Sequence, residues 1–507
     1  MRKGLINLTN KLLTFIEKSG NKLPHPAMLF LIFALSVPVF SFIAHLLDWS
    51  TAHPVTGEMI QPVNLLSVEG LHIMINNMVT NFTGFAPLGV VVVAMLGIGI
   101  AEESGLINAL VRLLVLSAPG RLLTFVIIFT GILTNVASDV GYVLLIPLAG
   151  TVFLAFGRNP VVGMVAAFAG VSGGFSANIL LGTIDPLLAG LSQEAARIID
   201  ENYIVNPTAN YYFMFASTFV IAITGTIITE KITQPRYANV RYDTEKITIE
   251  KLSSPERKAV RITGLVFLLM LAVILIGMIP GNGFLRGSDG KILSSPVISG
   301  VVALIFLIGA ISGAVYGFAS GKFNKDADMM KGMEQSMKHI AGYLVLVFFA
   351  AQFVAYFKWS NLGIIFAVKG AYLLMDMNIG TVLLLVLFII LSATINLFIG
   401  SASAKWALLA PVFIPMFMIM GFSPELSQVV FRIGDSVTNI ISPMMSFFVL
   451  IIAFFQRYDK NAGMGTIISL MLPYTIGFFI VWTLLLLLWI KLGIPLGPGV
   501  SIYYNAG

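Results

Sequence analysis

Cysteine is absent from this chain of 507 residues, which excludes disulfides, thiolate metal sites and cysteine nucleophiles. Charge is nearly as scarce, with 30 Lys and Arg and 24 Asp and Glu making up 11% of the residues, against about 25% in an ordinary soluble domain. At 57% hydrophobic residues and a mean hydropathy of +0.93, a soluble globule is excluded. Most apolar side chains must face lipid or neighbouring helices. Histidine is thin too: His25, His45, His53, His72 and His339 lie in loops or near span ends without metal-ligand spacing, so no metal site is expected. There is no Gly-x-x-x-x-Gly-Lys-Ser/Thr segment, which argues against ATP hydrolysis. The net charge of +6 does not point to nucleic acid, because the basic residues fall in short segments between apolar runs. Residues 1–26 are polar and basic (Arg2, Lys3, Lys11, Lys18, Lys22) without a signal-peptide core, so the first apolar run is expected to be a retained helix.

What is present is a series of long apolar runs. A span needs about 20 apolar residues, and 27–47, 86–102, 211–230, 262–280, 296–318, 342–357 and 467–491 read as spans. Residues 48–84 contain no Lys or Arg, whereas 231–261 hold eight and 321–340 hold four. The excess of basic residues on inner loops then puts the N-terminus and both basic loops in the cytoplasm and 48–84 outside as a loop. Residues 121–190 and 379–455 are apolar but interrupted by Gly, Pro, Asn, Ser and Asp, and do not read as plain helices.

These two stretches repeat each other. Pro147, Pro160 and Ser172 have the same spacing as Pro411, Pro424 and Ser436, and Ser104-Gly-Leu106 has a counterpart in Ser360-Asn-Leu362. The expected organisation is a cytoplasmic segment 1–26, a first span and external loop 27–85, a first repeat 86–231 with a re-entrant hairpin at 122–157, basic loops and two scaffold or dimerisation spans at 232–341, a second repeat 342–491 with a hairpin at 380–420, and an external tail 492–507. Loop charge inverts the second copy relative to the first. The fold expectation is therefore an all-α polytopic membrane protein with about nine transmembrane helices, two opposed re-entrant hairpins and an inverted-topology repeat. Broken helices meeting at the midplane belong to secondary transporters, since irregular backbone at membrane depth is tolerated only where protein or a water-filled cavity satisfies it.

The polar residues inside the interrupted segments are the candidate site. The first tip reads Thr134-Asn135-Val-Ala-Ser138-Asp139-Val-Gly141 and the second Asn396-Leu-Phe-Ile-Gly400-Ser401-Ala-Ser403-Ala-Lys405-Trp406. Small residues there allow close backbone approach and let amides and hydroxyls hold an ion or a carboxylate; the alternative is a helix-packing interface. Trp406 is suited to stacking on an aryl ring, or else belongs to the interfacial tryptophans. The broken helices add Gly173-Gly174-Phe-Ser176-Ala-Asn178, then Asp185-Pro186, and Arg432-Ile-Gly434-Asp435-Ser436-Val-Thr-Asn439. Arg432 and Asp435 fall on one helix face, where they can pair, either as a structural ion pair or as functional groups, since ionisable residues at depth are costly. Asp139 and Asp185 have no sequence-local basic partner, which points to a proton or cation and to ion coupling. Glu102 and Glu103 end a span and read as interfacial. Gly170-Val-Ser172-Gly173 matches a short intramembrane serine-protease pattern, but no histidine is placed to act as its base.

Six stretches carry a family resemblance: Leu23-Pro-His-Pro26, Asn64 to His72, Asn81 to Gly89, Leu408 to Met418, Phe431 to Ser436, and Gln456-Arg-Tyr458. In order, from about residue 20 to the C-terminus, they resemble the AbgT family of p-aminobenzoyl-glutamate transporters. The resemblance implies a homodimer of subunits with nine spans and two re-entrant hairpins. Its implied substrates are p-aminobenzoyl-glutamate, imported by some members, and sulfonamide antimetabolites, exported by others. It carries transport-path roles to Asp185, Asn396, Ser403, Trp406, Pro424, Arg432 and Asp435: Trp406 stacking on the aryl ring, Arg432 facing carboxylates or a sulfonyl, and Asp185 and Asp435 serving coupling. Asn178, Asn439 and Asp139 join the ion-coupling candidates. Lys405 departs from the family, whose residue before the tryptophan is usually uncharged; it either snorkels to the outer interface or adds a second cation for an anionic substrate. The expectation is an inner-membrane transporter with a small aryl substrate, no cofactor, Na+ or H+ as coupling ion, and no enzymatic activity. A channel without coupling is the alternative.

Overall fold

The structure, a computed structural model, describes residues 24–52, 57–136, 141–237 and 251–504, and Asp139, a predicted coupling residue, lies outside them. Helix α1 (Pro26–Leu46) starts on a proline, whose missing N–H is not needed at that position. A short antiparallel ribbon, β1 (Thr51–Ala52) with β2 (Met59–Ile60), follows. Next comes α2 (Val68–Thr83), capped by Ser67, whose side chain accepts the Gly70 N–H. The 48–84 segment, expected as a loop, therefore contains a four-turn helix. Its Asn and Thr residues break up the apolar run, but Asn81 Nδ2 reaches Gln352 Oε1 at 2.9 Å and ties it to a neighbouring helix.

The first copy of the repeat comprises α3 (Ala86–Glu103), α4 (Leu106–Leu116), α5 (Leu123–Thr134), a π-helical turn at 141–145 running into α6 (Ile146–Ala155), α7 (Pro160–Phe168) ending in a π-helical turn at 169–173, α8 (Ile184–Ala196) and α9 (Tyr211–Ile228). Helices α10 (Ser254–Met278) and α11 (Val301–Ser320) connect it to the second copy. That copy comprises α12 (Asp326–Trp359), α13 (Leu362–Asp376), α14 (Thr381–Asn396), α15 (Ala402–Ile419), α16 (Pro424–Asn439), α17 (Phe448–Gln456) and α18 (Met464–Leu492).

The copies match in their local devices as well as in order. Ser104 ends α3 with its hydroxyl donating to Ala101 O while accepting the Leu106 N–H. Ser360 ends α12 the same way, donating to Phe357 O and accepting from Leu362 N. The residue after each serine has positive φ, Gly105 at 81° and Asn361 at 60°, and turns the chain sharply into the next helix. Gly157 and Gly421 occupy equivalent left-handed turns, followed in both copies by a capping side chain, Asn159 or Ser423, and then by Pro160 or Pro424 at the first helical position. Gly170 and Gly434, each ten residues after its proline, lie against the backbone of α5 and α14 respectively, where a Cβ would meet Ile128 O at 2.3 Å or Ile389 O at 2.4 Å.

The molecule is an all-α polytopic membrane protein. Among the described residues, eight helical stretches are long and apolar enough to cross a membrane, or up to nine if the pair α4 and α5, bent by 110°, makes one. The core lies at the centre: all sixteen residues of α16 and all nine of α7 are buried. On α10 only Ala259, Thr263 and Gly277 are, while Leu265, Leu268, Leu269 and Ile276 face outward. That is the surface of a helix meeting lipid or another subunit.

Candidate functional site

The site forms where α16 passes the irregular segment 174–183 that joins α7 to α8. The Arg432 guanidinium meets Asp185 Oδ1 at 2.8 Å and donates to Ser176 O at 3.0 Å, and Ser436, one turn further along α16, accepts the Ser176 N–H at 3.1 Å. Both backbone groups of Ser176 are thus held by α16, which lets a non-helical stretch persist at this depth. Asp185 is oriented in turn by the Gly182 N–H, 2.7 Å from its Oδ2.

The second ion pair joins Lys405 of α15 to Asp435 of α16, and both side chains are buried. Lys405 also donates to Asn396 Oδ1. The Asn396 Nδ2 lies 2.6, 2.9 and 2.8 Å from Asp435 O, Thr438 Oγ1 and Asn439 Oδ1, its two N–H groups shared among the three acceptors. Ser442 Oγ donates to Asn396 O at 3.0 Å. One asparagine at the end of α14 therefore joins the hairpin tip, α15 and the C-terminal turn of α16. Two atoms remain open: Asp435 Oδ2 and Arg432 Nε are buried without a hydrogen-bond partner among the described residues. Unsatisfied buried polar atoms are uncommon in folded proteins and are worth explaining by function.

Two sequence expectations are corrected here. Arg432 and Asp435 share a helix but do not pair with each other; each is claimed by a residue distant in sequence, Asp185 and Lys405. Lys405 does not snorkel to an interface, being fully buried, because Asp435 and Asn396 supply inside the protein the partners that water would otherwise provide.

The other predicted residues are distributed as follows. Trp406 is fully buried, stacks on Phe431 with ring centroids 4.5 Å apart, and donates its indole N–H to Ser192 Oγ at 2.9 Å. From there a buried polar chain continues: Ser192 donates to Gln428 Oε1, and Gln428 Nε2 donates to Asn210 Oδ1. Asn210 Nδ2 then donates to Glu425 O, and Tyr203 OH to Glu425 Oε2. Asn178 caps the irregular segment, accepting the Ile179 and Leu180 N–H groups. Ser403 lies 3.1 Å from Ser401, hydroxyl to hydroxyl, and Pro424 starts α16. Sequence reasoning missed the Ser192, Gln428, Asn210 chain, whose members look like ordinary polar residues until the fold brings three segments together.

A cavity of about 250 Å³ lies beside the site, lined in part by Tyr142, Phe175, Thr183, Gly400, Asn439 and Phe447. A polar cavity of about 490 Å³ lies elsewhere, lined in part by Asn81, Glu194, Arg197, Glu201 and Lys358. There Lys358 donates to Glu201 at 2.8 Å and holds its carboxyl below the usual range. Among the described residues no three His, Asp or Glu side chains are grouped to hold a metal ion.

Repeated bundles with interrupted helices and buried opposite charges at their junction define a polytopic membrane transporter of the broken-helix class. Within that class, the chain belongs to the AbgT putative transporter family, whose profile matches residues 11–504. It is 39% identical over 493 residues, 97% of each chain, to the p-aminobenzoyl-glutamate transport protein of Escherichia coli K12. It is similar to the crystal structure of the Alcanivorax borkumensis YdaH transporter, described as having an unusual topology, with a TM-score of 0.90 and 48% identity over 94% of this chain and 100% of that one. Neisseria gonorrhoeae MtrF, described with a class of antimetabolite efflux pumps, also gives a TM-score of 0.90, at 45% identity over 97% of this chain and 100% of that one.

Proposed function

We propose that the chain is a secondary transporter of p-aminobenzoyl-glutamate and related para-substituted anilines, importing the former or exporting sulfonamide antimetabolites, by alternating access coupled to a proton or sodium gradient. The observation that carries this reading is the pair of buried ion pairs, Arg432 with Asp185 and Lys405 with Asp435, beside two open polar atoms. Two basic and two acidic groups cancel, so the empty site is neutral. A glutamyl group brings two carboxylates, each competing with an aspartate for a cation. Arg432 offers one of them, or a sulfonyl, its forked donors, and Lys405 takes the other.

The displaced Asp185 and Asp435 then each take a proton or Na+, because an uncompensated charge in this interior costs several kcal/mol. That exchange links anion and cation movement. Asn396 and Asn439 hold the geometry around Asp435, Asn178 caps the irregular segment, Pro424 starts α16, and Ser403 lines the tip of the second hairpin. The names of the E. coli relative and of MtrF support the substrate class. The outward apolar face of α10 supports a homodimer, and the basic loops support an N-terminus on the cytoplasmic side of a bacterial inner membrane.

The test is uptake of labelled p-aminobenzoyl-glutamate, and of a sulfonamide, into proteoliposomes with pH and sodium gradients imposed separately in each direction. Flux indifferent to both gradients, or conductance far above carrier turnover, would sink the reading in favour of a channel.

A further inference from the structure

The ion pairs do not account for the aromatic lining of the 250 Å³ cavity. Tyr142 follows the tip of the first hairpin, and Phe447 precedes α17 in the second copy. Their rings stack across the junction with centroids 4.7 Å apart and planes 10° from parallel. Phe175, from the irregular segment after α7, lines the same space. Trp406, the residue the sequence offers as an aryl platform, is fully buried, stacks on Phe431 and uses its N–H on Ser192. It is not in the cavity lining.

We infer that the cavity lined by Tyr142, Phe175 and Phe447 is the aryl subsite of the transporter, receiving the substrate's benzene ring against the Tyr142–Phe447 stack. This rests on the substrate class proposed above. Size supports it: whole drug-sized ligands occupy about 300–1,000 Å³, so 250 Å³ suits one ring with its substituent rather than an entire p-aminobenzoyl-glutamate. Position supports it as well. Asn439 lines the cavity and accepts from Asn396, which accepts from Lys405. Thr183, on another wall, is two residues from Asp185. A molecule with a ring at one end and carboxylates at the other runs from the rings toward the two ion pairs. Aromatic faces favour stacked or edge contacts with an incoming ring, and because Tyr142 and Phe175 come from the first copy and Phe447 from the second, the subsite is complete only while the copies are apposed.

The experiment uses the full chain in nanodiscs. Calorimetric Kd values for p-aminobenzoyl-glutamate are measured in wild type, in the ring-removing variants Tyr142→Leu and Phe447→Leu, and in the ring-keeping variants Tyr142→Phe and Phe447→Tyr. The expected result is a rise in Kd of about tenfold for the leucine variants, as for loss of a stacking contact, with both ring-keeping variants near wild type. Equal affinity in all five proteins overturns the subsite. As a check that needs no variant to fold, 4-azidobenzoyl-glutamate is photolysed on wild type and the adduct mapped. Attachment within 141–145, 174–176 or 445–448 supports the inference, and attachment around Trp406 and Phe431 overturns it. If wild type binds 4-aminobenzoate or sulfanilamide with the same ring dependence but not p-aminobenzoyl-glutamate, the substrate reading fails and the subsite stands. Absence of binding by all three aryl compounds overturns both.

Discussion

Arg432 and Asp185, carried by opposite copies of the repeat, form a buried ion pair at 2.8 Å, so the irregular segment of the first copy is held by a cation from the second. Replacing Asp185 by Asn removes the negative charge and leaves Arg432 buried and uncompensated. Breaking a buried pair in this way costs about 3–5 kcal/mol. The expected outcome is a lower Tm and loss of gradient-driven flux in proteoliposomes. Flux equal to wild type would remove Asp185 from coupling.

Lys405 and Asp435 allow a cleaner separation of stability from transport. Lys405→Met alone strands Asp435 and is expected to lower Tm. The double variant Lys405→Met with Asp435→Asn has no stranded charge and is expected to recover most of that loss, because replacing a whole buried pair is often neutral. Gradient-driven transport should stay absent in the double variant. Recovery of flux along with Tm would make the pair purely structural.

Arg432→Lys keeps the charge but loses the planar fork. An ammonium cannot reproduce two directed guanidinium contacts, and here those contacts go to Asp185 and to Ser176 O. Reduced affinity for the dicarboxylate substrate is expected, together with faster proteolysis between residues 174 and 183, read by limited digestion. Wild-type behaviour in both assays would show that charge alone suffices.

The scarcity of charge made the centre legible in advance. Asp185, Lys405, Arg432 and Asp435 stood out because they are ionisable groups inside otherwise apolar segments, and all four are found in buried ion pairs. The partners were not legible. Helical spacing favoured Arg432 with Asp435, but local spacing only permits a contact, and tertiary packing supplied a closer partner for each. Trp406 was recognised as important from its polar neighbours, yet its stacking partner Phe431 lies on another helix. Helix α2 escaped notice because its Asn and Thr residues interrupt the apolar run that marks a span. The correspondence was readable from Pro147, Pro160 and Ser172 against Pro411, Pro424 and Ser436, and of these Pro160 and Pro424 mark the same local device, a proline at the first helical position.

Trp406→Phe tests the indole N–H without emptying the core. It removes the donor to Ser192 at the head of the buried chain ending at Glu425, and one neutral hydrogen bond is worth about 1 kcal/mol. A modest fall in Tm with nearly unchanged binding of aryl substrate is expected. A large loss of aryl affinity by calorimetry would return the ring-binding role to Trp406.

Because the chain contains no cysteine, single cysteines report orientation directly. Labelling in right-side-out and inverted vesicles should find positions near 140 open to the cytoplasm and positions near 403 open to the outside. Labelling from the same side would remove the inversion of the second copy.

The two copies share their caps, turns and close glycine approaches, but not their charges. Eight and eleven residues after Pro424 stand Arg432 and Asp435, whereas the same steps from Pro160 reach Phe168 and Val171, and six residues before Pro411 and Pro147 stand Lys405 and Gly141. The local devices are thus repeated while the charges are not. The shared caps and turns therefore do not carry the charges with them: Lys405, Arg432 and Asp435 come from one copy alone, and of the four paired groups only Asp185 comes from the other.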